Sequence, residues 1–159
     1  MFVVLDEIDR RILTLLQDDG RISNAELARR IELSPPATYM RVKSLEEQGF
    51  VRRYVALLEP EMVGYDLMCF VQVTLQLHSL ERIRTFRQVI QGMSEVLECH
   101  HVTGEYDYLL KVVVSNRKEL ETFLLERLTP APGVARIHTS MVLSEVKYTT
   151  ALTLEPDQP

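Results

Sequence analysis

Near residue 50 the spacing of the apolar side chains changes, and that change divides the chain before any other feature is weighed. Up to Gly49 apolar residues recur every three or four positions; from Leu67 they alternate in short blocks separated by helical stretches. One element cannot carry both periods, because a strand sends successive side chains to opposite faces while a helix gathers every third or fourth onto one. The chain therefore reads as a helical unit at 1–50, a strand and hinge at 51–66, a mixed unit at 67–150 and a tail at 151–159.

In the first unit Asp6 caps a helix that carries Ile8, Ile12, Leu15 and Leu16, and Asp18-Asp19-Gly20 ends it. Ser23 and Glu26 form a capping box, each satisfying an amide of the other's turn, ahead of Leu27, Ala28 and Ile31. After a tight turn at Glu32-Leu33, Ser34-Pro35 opens a third helix with proline at its first position, and Gly49 stops it. Its inward face is read as Tyr39, Val42 and Leu45, with Ala37 or Thr38 nearby. Three short helices with a tight turn between the second and third predict a winged-helix-like helix-turn-helix. Phe50 to Leu58 alternates as a short strand or strand pair.

The second unit reads strand, helix, strand, strand, helix, strand. Val71, Val73, Leu75 and Leu77 alternate with polar residues; Ser79 caps a helix bearing Leu80, Ile83, Phe86 and Ile90. Val96–Thr103 and Tyr108–Val114 are strands joined across Gly104-Glu105-Tyr106-Asp107. Asn116 caps the second helix, Pro130 to Gly133 breaks it, and Val134 to Tyr148 supply the last strand. The prediction is an α+β chain: the helix-turn-helix followed by a βαββαβ, ferredoxin-like antiparallel sheet with both helices on one face. Its other face needs a cover, and a second copy of the sheet supplies one, so a homodimer is expected. The end of the tail, Glu155 to Pro159, is expected to fray.

Charge refines this picture. The net charge is −5, yet residues 21–53 carry seven basic side chains against four acidic, a local balance of +3. A basic segment on an acidic protein can hold phosphate while the rest resists indiscriminate binding. No run of apolar residues is long enough for a membrane helix, and the first residues lack the basic and long apolar regions of a secretory signal. Cys69 and Cys99 form no CxxC pair and read as reduced core residues, so a cytoplasmic protein is expected.

The motifs LDEIDRRIL from Leu5, DGRISNAELARRIELS from Asp19, RVKSLEEQGFV from Arg41, VTGEYDYLLKV from Val102 and PGVARIHTSMVLSEVK from Pro132 carry a resemblance. In that order and at that spacing they are similar to the Lrp/AsnC, or feast/famine, transcriptional regulators, most of all the leucine-responsive branch, across nearly the whole chain. The resemblance implies double-stranded DNA as partner, a C-terminal effector-sensing and oligomerisation (RAM) domain, and dimers that assemble further, into an octamer. It implies an amino-acid effector bound between subunits, and no other cofactor.

For DNA, the third helix lies in the major groove. Removing its core face leaves Pro36, Thr38, Met40, Arg41, Lys43 and Ser44, with Ser34 at the helix start. Arg41 either pairs with guanine or clamps phosphate, and Lys43 is assigned to phosphate. Arg21, Arg29 and Arg30 flank the helix as backbone contacts, although Glu26 or Glu32 could hold Arg29 or Arg30 instead. For the effector, the resemblance points to Gly104, Glu105, Tyr106 and Asp107. Gly104 allows close backbone approach, and Glu105 or Asp107 can pair with an ammonium group, unless Asp107 serves the assembly instead. Thr139, Ser140 and Met141 complete the pocket, whose small and flexible side chains favour leucine or methionine.

Adjacent His100 and His101 cannot readily chelate one ion from a strand, and no HExxH spacing exists, so no metal site is expected. One of the pair is assigned to an interface, the other to the core or the effector turn. No nucleophile-elbow, phosphate-loop or dinucleotide motif appears, so no catalysis is expected. The competing reading is a ligand-sensing assembly module whose N-terminal helices bind a protein.

Overall fold

A computed structural model describes residues 5–76 and 80–154. Leu77, the expected cap Ser79 and the tail end Glu155 to Pro159 lie outside the described residues. The chain packs as two compact units that meet in sequence at 57/58 and again at 146/147.

The helical unit holds α1 (Glu7–Asp18), α2 (Asn24–Ile31) and α3 (Pro35–Glu47). All three expected caps form. Asp6 accepts from the Asp9 amide at 2.8 Å, Ser23 from that of Glu26 at 3.2 Å and Ser34 from that of Ala37 at 3.4 Å. The second half of the capping box is absent: the Glu26 carboxylate accepts from Arg29 and Arg30 instead of turning back to Ser23. Glu32 closes α2 in the left-handed region at φ 61°, which orients the short turn into α3. Asn24 then spans that turn, donating to the Pro35 carbonyl at 2.8 Å. Gly49, at φ 82°, ends α3 in a Schellman motif: the Phe50 amide reaches Leu45 and the Gly49 amide reaches Glu46. The core is small, built on Ile12, Leu13, Leu27, Ile31 and Leu45.

Two expectations for flanking segments are corrected. Phe50–Leu58 forms no strand ladder, since an alternating segment needs a partner strand and none is supplied among the described residues. It is tied by a side chain, with the Tyr54 hydroxyl donating to Glu46 at 2.8 Å. The last strand ends at Met141, not Tyr148, because its partner strand ends with Leu67. Residues 147–154 then return to the helical unit. Gln17 gives its side-chain amide to the Leu152 carbonyl at 3.0 Å and receives the Leu152 amide at 2.6 Å, and Leu154 packs on the core.

The second unit opens with a short helical turn at Glu61–Val63 and then builds the sheet. Its strands are β1 (Leu67–Leu75), β2 (Val96–His101), β3 (Tyr108–Val114) and β4 (Val134–Met141). Every pairing is antiparallel, in the order β2-β3-β1-β4. The helices are α4 (Leu80–Gln91) and α5 (Arg117–Thr122), the latter running into a wide π-type turn at Phe123–Leu128. Asn116 caps α5 as expected, accepting from the Glu119 amide at 3.0 Å. Cys69, Val71, Val73 and Leu75 of β1 and Tyr108, Leu110, Val112 and Val114 of β3 meet Phe86, Ile90, Phe123 and Leu128 in one core. Both helices thus cover one sheet face. Cys69 is a buried core residue, but Cys99 is exposed because β2 is an edge strand.

The opposite face follows from register. Phe70, Gln72 and Thr74 lie opposite Ser140, His138 and Arg136 on β4, and Leu109 and Lys111 pair with His100 and Glu98 on β2. This face is more polar than expected. Glu98 bridges Lys111 at 3.6 Å and His100 at 2.9 Å, and Phe70 remains 40% exposed. The histidine pair splits across the sheet: His100 lies on this open face, while His101 stacks on Tyr108 at 4.9 Å.

Candidate nucleic-acid interface and effector cavity

On α3 the inward row is Thr38, Val42 and Leu45, spaced four and three apart. Thr38 is fully buried and donates to the Ser34 carbonyl at 3.1 Å, so its place among the DNA-contacting residues is corrected to the core. Tyr39 moves the other way. Expected inside, it is 57% exposed and joins Met40, at 62%, on the outward side. The error was one of phase. With 100° between neighbours, an inward row through Thr38 excludes Tyr39, and the buried threonine methyl mimics an apolar core position. The outward face is Pro36, Tyr39, Met40, Lys43 and Ser44.

Charges around this helix are tied within the unit. Arg41 donates to Asp6 and to Asp9, each at 2.7 Å, and is therefore turned toward α1. Its two carboxylates push the guanidinium pKa up, while Asp6 is held below the usual carboxylate value by the Asp9 amide first and Arg41 second. Arg29 and Arg30 share Glu26 at 2.7 Å, whose pKa falls to about 2. Lys43 lies 3.7 Å from Glu47, with both largely exposed. Such exposed pairs are weak and exchange readily for phosphate. The Arg21 side chain is exposed at the start of the segment leading to α2, and Ser34 caps α3.

In the second unit Gln72, Thr74, Glu105, Tyr106, Arg136, Ile137 and His138 line a cavity of about 320 Å³ on the open sheet face. It contains Glu105 and Tyr106 of the expected effector turn but takes its strand residues from lower on β4. Thr139 and Met141 lie opposite Val71 and Cys69, on the helix-covered side; only Ser140 shares the open face. Thr139, Ser140 and Met141 are not among the residues that line this cavity, which takes Arg136, Ile137 and His138 from β4 instead. Arg136 and His138 went unassigned in the sequence reading, although their period-two spacing with Ser140 places all three on one face. Asp107 is turned into the fold. Its carboxylate accepts from the Leu75 amide at 2.7 Å, and its own amide donates to Val73. Gly104 has φ 132°, while a Cβ there would meet nothing within 4 Å; the backbone angle calls for glycine, not a close neighbour within this unit.

Comparison with known proteins finds a family match for each unit. Residues 5–52 match a winged helix-turn-helix DNA-binding family, and residues 68–152 match the Lrp/AsnC ligand binding domain. The chain is 42% identical over 151 residues to the leucine-responsive regulatory proteins of Klebsiella pneumoniae and Escherichia coli strain K12, covering 95% of this chain and 92% of theirs. Among solved structures it is similar to a transcriptional regulator from Neisseria meningitidis in complex with L-Met, with TM-score 0.91, 39% identity, and 94% and 97% of the two chains covered. An AsnC-family regulator from Agrobacterium tumefaciens gives TM-score 0.89 at 34% identity, covering 94% and 97%.

Proposed function

Because this chain belongs to the Lrp/AsnC family of DNA-binding transcriptional regulators, we propose that its outward α3 face enters the major groove while the sheet cavity holds an amino-acid effector. The family consists of regulators, not enzymes, and the protein-partner reading of the N-terminal helices gives way to DNA. Tyr39 and Met40 supply apolar contacts of the kind a thymine methyl accepts, and Lys43 and Ser44 supply polar ones. Arg21, Arg29 and Arg30 exchange their present surroundings for phosphate and set register.

The observation that carries the effector reading is the charge pair around the cavity. Arg136 presents a guanidinium suited to an α-carboxylate, and Glu105 a carboxylate suited to an α-ammonium, with Gln72, Thr74 and His138 also lining the cavity. This lining is largely polar, which suits the head group. An apolar side chain, of leucine or methionine, needs a wall that Tyr106 and Ile137 supply incompletely. A second copy of the chain closes the site, consistent with the open sheet face and with a dimer that assembles further, to an octamer. The L-Met complex of the Neisseria relative supports methionine as a candidate. Effector binding at such an interface shifts the balance of assembly states, and linkage passes that difference to DNA affinity. No helix among the described residues is long and apolar enough to cross a membrane, and a cytoplasmic regulator is our reading.

The test is a thermal-shift series of the full chain against the twenty amino acids, repeated with Arg136→Ala. A rise with leucine or methionine that disappears in the variant supports the site; a rise that survives moves it elsewhere on the molecule.

A further inference from the structure

Arg41 is the residue whose surroundings differ most from the role its position suggests. One nitrogen, Nη1, donates to Oδ2 of Asp6 and Oδ1 of Asp9, both at 2.7 Å. Asp6 uses its other oxygen to cap α1 through the Asp9 amide. A single guanidinium therefore joins the first turn of α1 to the middle of α3. Arg41 follows Thr38 by three residues and precedes Val42, so it lies on the flank of the inward row, while Pro36, Met40 and Lys43 turn away. Asp9 and Arg41 are partly shielded, with side chains 21% and 34% exposed. Two carboxylates around one guanidinium also leave the cluster net negative, a poor surface to offer a phosphate.

From this geometry we infer that Arg41 is a positioning residue: it holds α3 at a fixed angle on α1 through Asp6 and Asp9, and base reading rests with the outward row. The inference depends on the DNA-binding role of this unit. A base-reading Arg41 would have to leave both carboxylates, so Asp6 and Asp9 would compete with DNA for it. A positioning Arg41 needs them. The two roles thus predict opposite signs for the same substitutions.

The experiment uses the full chain and a random-sequence duplex pool, from which the wild type selects its preferred duplex. Affinity for that duplex is then measured across salt concentrations for Arg41→Ala, Arg41→Lys and the double variant Asp6→Asn/Asp9→Asn, at a temperature where circular dichroism shows each folded. Positioning predicts that Arg41→Ala and the double variant each bind about tenfold more weakly, that combining them adds little, and that Arg41→Lys recovers part of the loss. The log–log salt slope and the selected base preference keep their wild-type values. Tighter binding by the double variant overturns the inference, as does a salt slope reduced by about one in Arg41→Ala, the signature of a lost phosphate contact. Should Arg41→Ala fail to fold, the near-isosteric aspartate variants decide the matter by sign alone. A wild type that retains no duplex refutes the DNA-binding role itself, an outcome distinct from any of these.

Discussion

In the helical unit the arginines beside the recognition helix are tied to carboxylates of the same unit, Arg41 to Asp6 and Asp9, Arg29 and Arg30 to Glu26. On the outer sheet face, Arg136 and Glu105 instead stand around an open cavity. The difference tracks how each unit is held together. The helical core is small, so its helices are also oriented by polar ties: the Asn24 bridge, the Arg41 cluster, the Gln17–Leu152 pair. The sheet unit has a broad core and four strands joined by antiparallel ladders, with register shifts at Thr74/Leu75 and at Val96/Glu98. On its outer face Glu98 ties Lys111 and His100, while Arg136 and Glu105 take no part in that cluster and line the cavity instead.

The comparison is tested most severely by core truncation. Phe86→Ala should cost the sheet unit about 3–5 kcal/mol in urea unfolding. A loss below about 1 kcal/mol would mean that the ladders alone hold the sheet, and the contrast between the units would collapse. Asp107→Ala should cost about 1–3 kcal/mol, because it leaves the Leu75 amide without its carboxylate. Unchanged stability with weakened effector binding would instead return Asp107 to the ligand site. In the helical unit Glu32→Gly should stabilise by roughly 1 kcal/mol, since glycine enters the left-handed region without strain. A destabilised variant would show that the Glu32 side chain does more than close α2.

The smallest effects are in pH. The pKa of Glu26 is lowered from 4.5 to about 2, so its stabilisation is present above 4.5 and is lost as pH falls toward 2. Acid unfolding of Glu26→Gln should therefore converge with that of the wild type near pH 2. The Tyr54 phenol is pushed from 10.0 to about 12 by burial first and Glu46 second. Here the sign reverses: the contribution is present below pH 10 and fades as pH rises through 12. Near-ultraviolet titration should show a tyrosine step near pH 12, and Tyr54→Phe should remove it.

Much of the molecule was legible without coordinates. Caps at Asp6, Ser23, Ser34 and Asn116 and the stop at Gly49 are local events within four or five residues; each cap accepts its expected amide and Gly49 ends α3, and only the return bond of Glu26 in the capping box is missing. The βαββαβ succession and its antiparallel four-stranded sheet also followed from the pattern, as did the face on which both helices lie. The site was less legible. Glu105 and Tyr106 line the cavity as expected, but Arg136 and His138 come from a strand whose face is set by pairing with β1.

What the sequence by itself determined is what depends on near neighbours: helix starts and stops, the two hydrophobic periods, and hence the two-unit α+β plan and its family. Tertiary structure decided which way each polar side chain turned. Thr38 went inward and Tyr39 outward because packing on α1 and α2 set the phase of α3, which its own weakly biased sequence leaves open. Arg41 turned to Asp6 and Asp9, more than thirty residues away in the chain. Thr139, Ser140 and Met141 were parted by register with β1. Long charged side chains have many rotamers of similar energy, and only the partners that folding brings within reach select among them.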